Sequence, residues 1–159
     1  MNIDDFFDHA KDNGLTIQTL PPSYETEHLL DNEALFQLPL ISLIILLMAK
    51  DRRKPKIPEL GQLVGESLEQ SIPGFKGSAQ HVGWSANLRV RTIKAMTFLE
   101  NSGLVEIANR KSKLEITKLG KKVIDKALSL DDNLSYNLSK IQMAYRNILV
   151  SKQFKLELI

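Results

Sequence analysis

The longest apolar run of the chain predicts a central, buried helix. It spans residues 38–49, and Pro39 lies near its start, where proline is a favoured first-turn residue. Because the segment is apolar on nearly every side, the helix should be surrounded by other parts of the protein. It is too short to cross a bilayer, which needs roughly 20 residues, so we expect no membrane association.

Two more helices are predicted to follow. The second runs over about residues 57–70, with apolar side chains at helical spacing. The third runs over about residues 84–101, and Gly103 supplies the left-handed residue that stops a helix. Between them, residues 71–83 hold three glycines and a proline. We expect a loop there, or a loop whose last residues are already helical.

A β-hairpin and a fourth helix are predicted next. Residues 104–107 and 114–116 alternate between apolar and polar side chains, and the polar turn at 109–113 joins them. Thr117 can then act as the N-cap of a helix over residues 118–129.

A last helix, over residues 131–151, carries a continuous apolar stripe. The spacing between its members alternates between four and three residues, which is the pattern of a two-heptad seam. The members are Leu134, Leu138, Ile141, Tyr145 and Ile148. We expect this stripe to be the main contact with a second copy or a partner protein. Packing against its own domain is the alternative. Residues 152–159 alternate and predict a strand or a frayed end.

The order of these elements, together with two short motifs, resembles a known superfamily. Residues 98–105 (FLENSGLV) resemble the end of the recognition helix and the start of the wing in MarR-type regulators. Residues 114–120 (LEITKLG) resemble the far wing strand and the next helix start. The longer segment 71–83 departs from the turn of about 3–4 residues in a compact helix-turn-helix.

The resemblance implies a mainly α fold with a small β-hairpin, a winged helix-turn-helix with N- and C-terminal helical extensions. The winged-helix domain would occupy residues 38–130. An acidic arm (residues 1–37) would precede it, and the last helix and tail (residues 131–159) would follow.

If the chain acts as this superfamily usually does, it binds duplex DNA as a transcriptional regulator. The third helix would enter the major groove and the hairpin would contact the backbone. On the side of that helix away from its apolar stripe, an asparagine side chain can hydrogen-bond to adenine and an arginine side chain can hydrogen-bond to guanine. The arginine and lysine side chains of the hairpin can bind the phosphates of the DNA backbone. The predicted DNA-binding residues are Asn87, Arg89, Arg91, Lys94, Arg110, Lys111 and Lys113.

Two apolar residues on the same helix favour a different function. Val90 and Ile93 also point away from the predicted core, and an apolar strip is more natural on a helix that faces a protein. The alternative is therefore an accessory subunit of an SMC-like or ABC-type ATPase complex, as in multi-gene phage-defence systems, acting through protein–protein contacts.

The residue inventory points away from catalysis. Cysteine is absent, and the three histidines are scattered without the spacing of metal ligands. The sequence has no phosphate-binding glycine loop and no dinucleotide fingerprint. We expect no enzyme activity, no cofactor and no metal, and a cytoplasmic protein, since the first residues do not resemble a signal peptide.

The net charge of +2 conceals a strong asymmetry. Residues 1–36 hold eight acidic side chains and one lysine, a net charge of −7, whereas residues 37–159 hold 20 basic and 11 acidic side chains, a net charge of +9. Residues 2–13 of this acidic arm are predicted to form a short helix ended by Gly14. The net positive charge of residues 37–159 favours binding to nucleic acid. The acidic arm could bind a basic surface, or it could simply be solvated.

We predict that the acidic arm limits DNA binding by competing for the basic surface. Deleting residues 1–36 should raise the affinity for non-specific duplex DNA, measured by fluorescence anisotropy. The increase should be largest at low ionic strength, because surface attraction is screened over about 10 Å at 0.1 M salt. An affinity unchanged by the deletion would contradict this role.

Overall fold

The computed structural model describes residues 8–9, 11–14, 39–73 and 81–158, without the side chains of residues 81–85. It divides the chain into two units, Met1–Leu30 and Asp31–Ile159. In the first unit, residues 8–9 and 11–12 are helical and Gly14 has a φ of 63°, in agreement with a short helix ended by glycine. The other predictions for the acidic arm lie outside the described residues.

The described part of the second unit is mainly helical, with a small antiparallel sheet of two strands, as predicted. In chain order, its elements are helix α1 (Leu40–Lys50), a 3₁₀ turn (Ile57–Glu59), α2 (Leu60–Ser71), α3 (His81–Asn101), strand β1 (Val105–Glu106), strand β2 (Glu115–Ile116), α4 (Lys118–Ser129) and α5 (Asn133–Glu157).

Helix α1 lies at the centre of this unit. All eight residues at positions 42–49 are buried, and α1 contacts each of the other four helices as well as β2. Pro39 precedes the helix in an extended conformation, as suits an N-terminal flanking residue. The prediction of a helix buried on all sides is confirmed, and the rest of the core is assembled around it.

Helices α2 and α3 follow the predicted pattern, with one change at a boundary. The second helix opens with a turn of 3₁₀ helix at 57–59, as a proline near the start allows. The third begins at His81, so the end of the predicted loop 71–83 is helical. It ends as predicted, because Gly103 has a φ of 70° and the amide of Leu104 donates to the carbonyl of Leu99 over 2.9 Å.

The hairpin is confirmed, and the structure adds a third short segment to it. Val105 pairs with Ile116, and Glu106 pairs with Glu115. On the outer side of β2, Lys56 forms an antiparallel bridge with Lys113. Two backbone hydrogen bonds flank this bridge, from the Leu114 amide to the Pro55 carbonyl (3.0 Å) and from the Ile57 amide to the Ser112 carbonyl (3.1 Å). The segment after α1 is therefore attached to the hairpin, which the sequence analysis did not predict.

The hairpin is joined to α4 by a close backbone contact. Thr117 caps α4 by accepting from the Gly120 amide over 3.1 Å, and its own hydroxyl donates to the Gly103 carbonyl over 2.7 Å. A β-carbon at Gly120 would lie 2.1 Å from the carbonyl oxygen of Leu104. Only glycine permits this approach, and the hydrogen bond from the Gly120 amide confirms that Thr117 is the predicted N-cap.

Helix α5 is longer than predicted. Asp132 and Ser135 form a capping box at its start, and the helix continues to Glu157. The strand expected over residues 152–159 is therefore wrong for the described residues, because the helical hydrogen bonding runs through the tail.

The predicted interface stripe of α5 is also wrong. Four of its members, Leu138, Ile141, Tyr145 and Ile148, are buried in the hydrophobic core of the same chain, and Leu134 is half-buried against that core. Helix α5 packs on α1, α2 and α4, so these side chains are not available to a partner. The alternative, packing against its own domain, describes the structure.

We predict that the double substitution Leu138→Asp, Ile141→Asp unfolds the protein. Both side chains are fully buried, and loss of one leucine-sized core side chain costs about 2–5 kcal/mol even before a carboxylate is buried. Total stabilities are about 5–15 kcal/mol, so the pair should abolish the cooperative thermal transition seen by circular dichroism. Leu156→Asp, at an exposed apolar position of the same helix α5, is the matched control and should keep the wild-type transition.

Candidate nucleic-acid interface

An open groove of about 780 Å³ lies between α3, the start of α2 and the hairpin. Its apolar lining comes from Ile57, Ile93, Met96 and Ile107. Charged side chains from two elements complete it: Arg89 and Glu100 on α3, and Arg110 on the hairpin. We call this the α3 groove.

The rotation of α3 is determined by its buried side. Leu88, Ala95 and Leu99 are buried among the core residues, as predicted from the apolar stripe. Thr92 is buried on the same side, and its hydroxyl donates to the Leu88 carbonyl over 2.7 Å, so no polar group is left unpaired there. The opposite side of α3 is consequently exposed to solvent.

The start of α2 lies directly against α3. A β-carbon at Gly61 would be 3.0 Å from Cγ and 3.4 Å from Cα of Arg89. This contact places the aliphatic stem of Arg89 beside α2, at one wall of the α3 groove. Arg110, near the tip of the hairpin, lies at another wall of the same groove.

The predicted DNA-binding residues are all exposed, but they do not form one cluster. Arg89 and Arg110 line the α3 groove. Asn87, Arg91 and Lys94 are exposed on α3 without lining it, and Lys111 is exposed at the hairpin tip. Lys113 lines a different cleft, described below.

The exposed side of α3 also carries large apolar residues. Val90, Ile93 and Phe98 are 53%, 58% and 46% exposed, respectively. The first two were expected on this side, and Phe98 adds to them. The surface around the α3 groove is therefore mixed, with cations at its walls and apolar side chains between them.

A second open cleft, of about 790 Å³, lies between the loop after α1, the hairpin and α5, and the sequence analysis did not predict it. Five cationic side chains and one carboxylate line it, together with two apolar residues of α5, Leu149 and Val150. We call it the basic cleft. Its charged members are Asp51, Arg52, Arg53, Lys54, Lys113 and Arg146.

The loop that lines the basic cleft is held by a buried polar network. The side chain of Asp51 is only 7% exposed, and it accepts from Nε of Arg146 over 2.9 Å and from the amide of Arg53 over 3.1 Å. The hydroxyl of Tyr145 donates to the carbonyl of Arg53. The backbone of Arg53 is thus bound on both sides, while its side chain and that of Arg52 are exposed.

Tyr145 remains a hydrogen-bond donor over the whole working pH range. Burial raises the pKa of its phenol far above the ordinary value of about 10, and the Asp51 carboxylate nearby raises that pKa further. The protonated hydroxyl can therefore hold the Arg53 carbonyl without titrating.

Part of the basic cleft could be recognised in the sequence. Residues 51–56 (DRRKPK) form a strongly basic turn, which sequence analysis alone would treat as solvated. Its partners come from distant parts of the chain, since Arg146 is 95 positions from Asp51. Only the fold brings the hairpin residue Lys113 and the α5 residue Arg146 beside this turn.

Two kinds of arrangement are absent from the described residues. Within them, no three histidine, aspartate or glutamate side chains are placed to share a metal ion. Over the same residues, no helix combines the length and the apolar character needed to cross a bilayer.

Comparison of the chain with protein-family models, with curated proteins and with solved structures finds no match.

Proposed function

We propose that the chain is a cytoplasmic winged-helix protein that binds duplex DNA, with α3 in the major groove and the hairpin along the backbone. The element order supports this proposal: a helix, a short segment bridged to the hairpin, two helices and then the hairpin itself. One observation carries it. Cations from two separate elements, Arg89 on α3 and Arg110 on the hairpin, line the same open groove along the exposed side of α3.

The two elements would have different roles on DNA. Four side chains on the exposed side of α3 would contact base edges or anchor the helix on DNA: Asn87, Arg89, Arg91 and Lys94. Arg110, Lys111 and Lys113 would contact phosphates, which position the protein without reading sequence. Such a protein would act as a transcriptional regulator or another DNA-associated factor.

A second candidate function is favoured by the apolar residues of α3. Val90, Ile93 and Phe98 are exposed, and exposed apolar clusters commonly mark protein-binding sites. Glu100 in the α3 groove would also repel a phosphate. In this alternative, α3 docks on a partner protein and the chain is an accessory subunit of an ATPase complex.

We predict that reversing the charge of the hairpin weakens DNA binding for every sequence. The triple substitution Arg110→Glu, Lys111→Glu, Lys113→Glu should lower duplex affinity and flatten its salt dependence. Each lost phosphate contact removes about 0.9 from the slope of log affinity against log salt. The measurement is fluorescence anisotropy over a salt series with two unrelated duplexes.

The matched control is Lys118→Glu, Lys121→Glu, Lys122→Glu, the same charge change at exposed positions of α4 that line neither groove. It should retain most of the wild-type affinity and slope. If the wild-type protein binds no duplex even at low salt, DNA binding is refuted and the protein-partner function replaces it.

We also propose that the protein is a homodimer, formed through the side of α5 opposite the buried stripe. This side carries exposed apolar residues at positions seven apart, of which Tyr136 is 60% and Met143 is 65% exposed, and Val150 is the third. Phe154, also exposed, continues the stripe. We call these four residues the outer stripe.

A second copy fits the outer stripe because the two aromatic residues at its ends can pair with each other. An antiparallel α5 related by a twofold axis near residue 145 would place Tyr136 opposite Phe154. The same axis would place Met143 opposite Asn147, and Val150 opposite the aliphatic stem of Lys140. Twofold symmetry would also supply two α3 helices, as dimeric helix-turn-helix proteins use for two half-sites.

We predict that Met143→Asp, Phe154→Asp converts the dimer into a folded monomer. Both side chains are exposed in the single chain, so the carboxylates are solvated in the monomer and buried only in the dimer. Light scattering should report half the wild-type mass, and circular dichroism should report unchanged helix content. A wild-type protein that is already monomeric at high concentration would contradict the proposed dimer.

A further inference from the structure

We propose that the basic cleft is a second DNA-binding site, which holds the phosphate backbone of the duplex beyond the part contacted by α3. This inference rests on the proposed DNA-binding function and extends it to residues that the resemblance does not include. The ligand class is the sugar–phosphate backbone of duplex DNA, and the proposed contacts are Arg52 and Arg53, supported by Lys113.

The charges in the basic cleft are not cancelled within the described residues. Two of the five cations have carboxylate partners, since Arg146 pairs with Asp51 and Lys54 pairs with Glu115. Arg52, Arg53 and Lys113 have no ion pair among the described residues, and all three side chains are exposed. The single carboxylate that lines the cleft, Asp51, is buried and already occupied. An anion entering the cleft would therefore meet net positive charge.

The loop that carries the two arginines is held in place by contacts to its backbone. Asp51 accepts from the Arg53 amide, and the Tyr145 hydroxyl donates to the Arg53 carbonyl. Two residues later, the Pro55 carbonyl accepts from the Leu114 amide of the hairpin. A cation on a loop already ordered in this way loses less conformational entropy when it binds a phosphate.

The position of the basic cleft favours DNA over an acidic protein. Lys113 belongs to the hairpin whose tip carries Arg110 and Lys111, so the same hairpin contributes cations to both the α3 groove and the basic cleft. The apolar lining is limited to Leu149 and Val150, whereas protein interfaces usually have an apolar centre. Exposed arginines beside these hairpin cations suit a phosphate backbone that runs past the hairpin.

The test is the double substitution Arg52→Ala, Arg53→Ala in the full-length protein. The loop should keep its structure, because the contacts that hold it involve the backbone of Arg53 and not the two side chains. An unchanged thermal transition by circular dichroism checks this. Duplex affinity is then measured by fluorescence anisotropy from low to moderate salt, with two unrelated sequences.

We expect the slope of log affinity against log salt to fall by about 2 units, because two phosphate contacts are lost at about 0.9 each. The decrease should be the same for both sequences, since backbone contacts carry no sequence information. The matched control, Lys121→Ala, Lys122→Ala on α4, removes two exposed charges outside both grooves and should leave the slope nearly unchanged.

Three outcomes would overturn the proposal in distinguishable ways. If the hairpin reversal weakens binding but Arg52→Ala, Arg53→Ala does not, the DNA function stands and the second site is wrong. If the wild-type protein binds no duplex, both proposals fall together. If the double variant keeps its duplex affinity but loses binding to polyglutamate that the wild-type shows, the basic cleft is a site for acidic protein segments.

Discussion

The fold depends on the complete burial of α1. A helix with eight consecutive buried residues has no solvent-facing side, so every direction around it must be covered by another element of the chain. The four other helices and β2 supply that cover. Helix α5 is part of it, which explains why the stripe that contains Leu138 and Ile141 packs inward and is not free for a partner.

The end of α1 links this core to the surface. Asp51, directly after the helix, stays buried because Arg146 of α5 and the amide of Arg53 satisfy its carboxylate. A buried carboxylate without such partners would be strongly unfavourable. The same α5 supplies Tyr145, whose body packs in the core while its hydroxyl reaches the loop. One helix thus covers the central helix and also orders the loop that carries Arg52 and Arg53.

The hairpin lines both candidate surfaces, the α3 groove through Arg110 and the basic cleft through Lys113. The α3 groove combines arginines with exposed apolar residues such as Ile93, and the basic cleft is mostly cationic. A hairpin attached to the loop after α1 through the Lys56–Lys113 bridge connects the two. In the proposed DNA-binding function, the α3 groove would contact bases and the basic cleft would contact the backbone, and the exposed apolar residues of α3 favour a protein partner as the competing proposal.

Local features of the fold were predictable from the sequence because short-range physics determines them. The all-round apolar run predicted α1, the glycine at 103 predicted the end of α3, and the alternation around a polar turn predicted the hairpin. The apolar stripe of α3 was enough to predict which of its side chains are exposed, including Asn87, Arg89 and Lys94. Spacing along one helix contains that information without reference to the rest of the chain.

Features that depend on which surfaces pack against each other are determined by the tertiary structure and could not be predicted from the sequence. Helix α5 has two apolar stripes on opposite sides, one with Leu138 and one with Met143, and spacing alone cannot tell which is covered. The stripe with Leu138 is buried because this side of α5 covers α1, and the stripe with Met143 therefore stays exposed. Likewise, the basic turn at 51–56 became part of a cleft only because folding brought Lys113 and Arg146 beside it, and contacts between residues so far apart in the chain leave no periodic signal in the sequence.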